Sequence, residues 1–224
     1  MNNLKNINVL SNNYLIELTL NHTGKMEGMQ SLSTSPLVNK QCQKNCKIKG
    51  AVCEKCFSIT MMKRYYSLVK KLERNHAVLT SEIIPLEYLP NINCKYFRFE
   101  AFGDLENDIQ FINYLNICNK NPCVNFAIWT KNPHIMNEVF NEMKYKKPGN
   151  LNIIVSSLFI NNVWKIDHLP YASKYWFIDK IFTVYDKKYI DENNVEINCG
   201  SKKCLDCLLC YTKNNVKFIN EKLK

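Results

Sequence analysis

Apolar positions in this chain follow two periods that alternate along it. Residues 14–20 (YLIELTL) switch between apolar and polar nearly every residue, as a strand entering a core does. Residues 57–84 instead put Met62, Tyr65, Tyr66, Val69, Leu72 and His76 at helical spacing, with Lys63, Lys70 and Lys71 among the polar positions. That pattern predicts one long amphipathic helix. Residues 94–105 (CKYFRFEAFGDL) predict a strand closed by a Gly-Asp turn, and 107–120 a helix. Residues 124–130 (VNFAIWT) form an apolar run fit for a buried strand, 133–144 a helix and 151–157 (LNIIVSS) another strand. One or two further strands fall in 175–186, while 163–168 shows no clear pattern. Strands alternating with helices predict an α/β fold with a curved, mostly parallel sheet of five or six strands.

Between the first strand and the long helix the periodicity stops. Residues 21–41 are rich in turn and hydroxyl side chains and read as a long ordered loop, the kind usually kept for function. It leads into QCQKNCKIKGAVCEKC, where Cys42, Cys46, Cys53 and Cys56 crowd into one short stretch. A second nest, Cys199, Cys204, Cys207 and Cys210, lies near the other end. The two nests hold eight of the eleven cysteines. The opening residues lack the apolar core of a signal peptide, and no apolar run is long enough to span a membrane. A cytoplasmic protein with no membrane partner is the expectation. In a reducing compartment clustered thiols are metal ligands or redox groups more often than disulfides. Cys94, Cys118 and Cys123 have no partner at ligand spacing and read as buried small hydrophobes.

The spacing of Cys204, Cys207 and Cys210 is that of a ferredoxin-type loop, with Cys199 near enough to be a fourth ligand. Structural zinc prefers two separated knuckles, so three cysteines at intervals of three favour an iron-sulfur cluster, with zinc as the alternative. The first nest is open to two readings. Four thiolates would close a zinc or cluster site, whereas three would hold a cluster and leave one iron free for a ligand.

Residues at the carboxy ends of the expected strands are candidate cofactor contacts: Glu100, Gly103 and Asp104 after the second, Thr130 with Lys131 and Asn132 after the third, Ser156 and Ser157 after the fourth. Gly103-Asp104 is equally suited to making the turn and capping the next helix. Arg98 and Lys131 are candidates for meeting an anion. No dinucleotide fingerprint, P-loop or HExxH motif is present.

A strand, a cysteine loop ending in Cys53, Cys56 and Phe57, and then a long helix resemble the opening of radical S-adenosylmethionine enzymes. That resemblance implies a partial (βα)6-like barrel and a [4Fe-4S] cluster whose free iron chelates S-adenosylmethionine. The usual CxxxCxxC is altered here, since Cys53 follows Cys46 by seven positions. A closer similarity is to a phage and prophage family called gene product 88-like, carried by GKMEGMQSLSTSPLVNKQC, VCEKCF, RFEAFGD, FAIWTKNP, IIVSS and the terminal CxxCxxCY. It covers residues 24–211 and brings no established reaction. It implies Cys42, Cys53 and Cys56 as the open-cluster trio, with Cys46 extra. Cys204, Cys207 and Cys210 would hold an auxiliary cluster, with Cys199 as a further ligand.

The expected organisation is a partial-barrel domain over residues 1–190, with the cysteine loop at 42–56, and a cysteine-rich segment over 191–224 packed on it. Both nests are expected together at the sheet's carboxy edge. An enzyme of this kind needs an electron donor, and if phage encoded it works in the host cytoplasm. The formal charge of +10 adds nucleic acid as a partner class. The alternative function is a non-enzymatic, metal-stapled nucleic-acid-binding module.

Overall fold

A computed structural model describes residues 14–164 and 172–223. The opening residues and most of the patternless stretch 163–168 lie outside that range. Seven strands form one open sheet in chain order: β1 (Thr19–Leu20), β2 (Gln30–Leu32), β3 (Tyr96–Phe99), β4 (Asn125–Thr130), β5 (Leu151–Ser156), β6 (Lys180–Tyr185) and β7 (Phe218–Lys222). β1 pairs antiparallel with β2, and every later neighbour is parallel. The helices are α1 (Lys40–Cys46), α2 (Phe57–Met62), α3 (Tyr66–Ser81), α4 (Asp108–Lys120), α5 (Pro133–Asn137), α6 (Lys187–Asn193) and α7 (Cys204–Cys207). None is long and apolar enough to cross a membrane.

The alternation of strand side chains sorts the molecule into two layers. Phe97, Phe99, Phe126, Ile128, Leu151 and Ile153 point to one face, where α3, α4 and the turn after α5 bury Leu79, Phe111, Tyr114, Leu115, Val139 and Phe140 against them. Three rings, Phe126, Phe99 and Tyr114, stack in succession across that layer. On the other face Met29, Ala127 and Ile154 are covered by Tyr211, Cys204 and Cys210 rather than by a helix layer. The second cysteine nest is therefore the lid of the sheet's second face.

Three expectations change. The strand over 14–20 contracts to the antiparallel pair β1, and the first parallel strand is β2, inside the stretch that reads as a loop. β2 is three residues long, two of them polar, and is too short for a period to register. The long helix breaks into α2 and α3: Lys63 and Arg64 donate to Ile59 and Met61 and close α2, while Tyr65 takes an extended backbone. No glycine or proline marks that break. The chain's many asparagines do structural service, because a buried amide can both donate to and accept from backbone. Asn75 ties α3 to residues 17 and 33, and Asn113 ties α4 to residues 79, 82 and 84.

Candidate metal centres

The first nest is set by a cap. Asn39 Oδ1 accepts from the Cys42 amide at 2.8 Å, starting α1, while Asn39 Nδ2 donates to the Asp104 carbonyl at 2.8 Å. One buried side chain thus fixes where the cysteine helix begins relative to the end of β3. Cys42 and Cys46 sit four apart on α1 and share a face. Gly50, at φ +79, turns the chain, and its amide bonds Glu54. The Val52 amide then bonds the Leu158 carbonyl at 2.9 Å beyond β5, which pins Cys53 and Cys56 over the carboxy ends of the strands. Asn39→Ala removes the cap and the donor to Asp104 together. It should cost about 2 kcal/mol of stability, read as a lower urea midpoint at unchanged slope, and Asn39→Asp should not recover it, because its second oxygen would face the Asp104 carbonyl as acceptor against acceptor.

Burial pushes the Cys42 thiol far up, helped by Asp104, Glu100 and Cys53 and opposed by Lys131. Burial likewise raises Cys46 to about 11, with Cys56 and Cys53 adding to it. The four thiols and Lys131 therefore share one space at the carboxy ends of β3 and β4. All eleven cysteines are free thiols.

Beneath that space lies a closed polar floor. Glu100 follows β3 at a left-handed φ of 52° and is 2% exposed. Its carboxylate accepts from the Thr34 amide and hydroxyl, from Gln110 Nε2 at 2.8 Å and from the Tyr114 hydroxyl. Asp104 accepts from Leu105 N, Thr130 Oγ1 and Lys131 N at 2.6–3.0 Å. Glu100, Gly103, Asp104 and Thr130 do stand at the strand ends where the sequence puts them, yet the polar groups among them are buried and engaged with protein. Their role in the structure is to hold the floor; Lys131 is the cation beside the thiols. Ser156 ends β5 on the sheet's second face, and Ser157 bonds Thr183.

The second nest occupies another place. Its charged neighbours are Lys25, Arg98 and Glu221, and its floor is Tyr211 with Ile219, so the two nests do not share the carboxy edge as expected. Cys199, Cys204, Cys207 and Cys210 all wall a cavity of about 440 Å³. Leu208, at φ 53, reverses the chain after α7 and brings Cys210 and Tyr211 back to it. Lys25 Nζ bonds Glu221 at 2.7 Å and the Cys199 sulfur at 3.4 Å. Burial lowers the Lys25 pKa, but the Glu221 pair outweighs it and holds the amine above its ordinary value. The Arg98 guanidinium lies 4.0 Å over the Trp129 ring. Arg98 Nε and the Tyr211 hydroxyl are buried without a partner among the described residues. Burial raises Cys210 to about 12, with Arg98 opposing.

Among the described residues no three His, Cys, Asp or Glu side chains close on one point at single-ion distance. A tetrahedral zinc ion draws its sulfurs to about 2.3 Å from one point. A four-iron cluster spreads its thiolates over separate corners. The four cysteines of the second nest line a cavity flanked by Arg98 and by the Lys25–Glu221 ion pair. Cys94 is half-buried and bonds the Tyr96 carbonyl, Cys118 is buried as expected, and Cys123 is exposed, because it sits in the turn after α4.

Sequence reasoning missed Lys25, Tyr211 and the run Ser33, Thr34, Ser35 and Asn39. An aromatic directly after the last cysteine was the one available sign for Tyr211. Compared with protein-family models, curated proteins and solved structures, the chain matches none.

Proposed function

We propose that this chain is an iron-sulfur protein related to radical S-adenosylmethionine enzymes and of the gene product 88-like kind, with one [4Fe-4S] cluster in each nest. The observation that carries the reading is the position of the first nest. A cysteine loop follows the first of six parallel strands in chain order and gathers its thiols at the carboxy ends of β3 and β4, the edge where parallel sheets place their ligands. A partial (βα)6-like barrel is supported by the same strand order and by Lys25–Glu221, which links the β1–β2 turn to the far edge strand.

Cys42, Cys53 and Cys56 would hold the open cluster, with Cys46 beside them; Cys199, Cys204, Cys207 and Cys210 would hold the second. Such a cluster, once bound, would supply one-electron reduction of the sulfonium of S-adenosylmethionine, the electron coming from an external donor. The chain's own part is to orient: Asn39 fixes α1, Asp104 fixes the Thr130–Lys131 turn, and Lys131 supplies a positive charge beside the thiols.

The test is anaerobic purification with iron, sulfide and zinc analysis, then electron paramagnetic resonance of the reduced protein. About eight irons per chain are expected for two clusters, with a signal altered by S-adenosylmethionine. Cys204→Ser with Cys207→Ser should remove about half the iron and leave that alteration; Cys53→Ser with Cys56→Ser should abolish it. Zinc without sulfide would overturn the reading and make both nests structural staples.

A further inference from the structure

We infer that the face built by residues 44–70 is a binding surface for single-stranded nucleic acid. This goes beyond the metal reading and stands on different observations, so the two can fail separately. Ten lysines and arginines against two glutamates fall between residues 40 and 74, which places +8 of the formal +10 in one short segment. Lys44, Lys47, Lys49, Lys55, Lys63 and Arg64 are exposed and make no ion pair with a described carboxylate. Of the two acids, Glu54 is engaged by the Gly50 amide.

Interleaved with that charge are three exposed rings: Phe57 at 68%, Tyr65 at 53% and Tyr66 at 72%. Lys70 lies over the Tyr66 ring at 4.8 Å. The break between α2 and α3 is what presents Tyr65, since a continuous helix would carry it on the same face as the buried Met62 and Leu72. Cations that track phosphates, alternating with flat rings that stack on bases, are the two components of sequence-tolerant single-strand binding. Duplex DNA hides its base faces and would use only the cations. An anionic membrane would call for exposed aliphatic side chains, and in this segment Met62 and Leu72 are buried while Leu68 and Val69 are half-buried. The surface adjoins the first nest through Cys56 and Phe57, so a bound strand would run past it.

Fluorescence anisotropy of labelled dT12, rU12 and a twelve-pair duplex with the full chain tests this. Both single strands should bind more tightly than the duplex, and the better of the two identifies DNA or RNA as the natural ligand. Affinity should fall with salt at a log-log slope of about −3, as some four phosphate contacts require. Phe57→Ala with Tyr66→Ala should weaken single-strand binding at least roughly thirtyfold at unchanged salt slope. Lys63→Gln with Arg64→Gln should reduce the slope by about 1.4. These side chains are exposed, so thermal unfolding should not move. Equal affinity for the duplex, neutral ring variants, displacement by phosphatidylserine vesicles, or equal weakening by Lys187→Gln with Lys188→Gln on α6 would each overturn the proposal.

Discussion

Gly103→Ala is expected to cost about 3 kcal/mol of stability and to loosen the first cysteine nest with it. A Cβ on Gly103 would lie 2.5 Å from Glu100 Oε2, 2.5 Å from Thr34 Oγ1 and 2.8 Å from the Thr34 carbonyl. Glycine is needed here for close approach, since its backbone is not in the left-handed region. None of the three oxygens can retreat cheaply. The Thr34 carbonyl is backbone of a fully buried segment, and the Glu100 carboxylate is held by four hydrogen bonds. The substitution therefore pries apart the chain after β2 and the chain after β3, the two segments that seat α1. Chemical denaturation should show the loss, and reconstituted protein should retain less iron in the first nest while the second stays loaded. Gly149→Ala is the control: nothing lies within 4 Å of its Cβ and its backbone suits alanine, so stability should stay level or rise by up to about 0.5 kcal/mol.

The central strands were legible from their apolar residues. YFRF alternates buried and half-buried positions, while NFAIWT, LNIIVS and KIFTVY are mostly buried runs rich in apolar and β-branched residues, and β3 to β6 stand there. β2 and β7 were not. Gln-Ser-Leu holds its place through backbone pairing to β3, and FINEK is an edge strand with half its residues wet, so neither had to be apolar. That each group of cysteines gathers in space was legible, since its members lie close together in the sequence. Their separation was not: it depends on Tyr211 and Cys210 folding back over the sheet's second face, a tertiary event that Leu208 permits and no local pattern encodes. The strand-end positions of Glu100, Asp104 and Thr130 were also readable. What the chain could not disclose was that Thr34 from the segment after β2 and Gln110 and Tyr114 from α4 converge on Glu100, which turns a candidate ligand contact into a floor.

That floor carries a pH signature of its own. Burial lifts the Glu100 carboxyl to about 7, against the pull of the Tyr114 and Thr34 donors and with a smaller push from the Asp104 charge. Tyr114 stays a donor, since burial and then the Glu100 charge raise its phenol well above the ordinary value. A carboxyl whose folded pKa lies above its unfolded value of 4.5 binds its proton more tightly in the folded chain. Its contribution is fully present below pH 4.5 and is lost as pH rises through 7, some 3 kcal/mol in all. Buried His76, with its pKa lowered chiefly by burial, acts the other way, gaining stability as pH rises toward 6.5. The total profile mixes both, so the quantity to measure is the difference in unfolding free energy between wild type and Glu100→Gln, in which His76 cancels. That difference should shift against wild type by about 3 kcal/mol between pH 5 and pH 8. Glu100→Leu should be destabilised throughout, because it strands the Tyr114 hydroxyl and the Thr34 amide and hydroxyl without their acceptor. A flat difference between wild type and Glu100→Gln would show that the carboxyl is ionised at all these pH values, and that the donors from Thr34, Gln110 and Tyr114 outweigh burial.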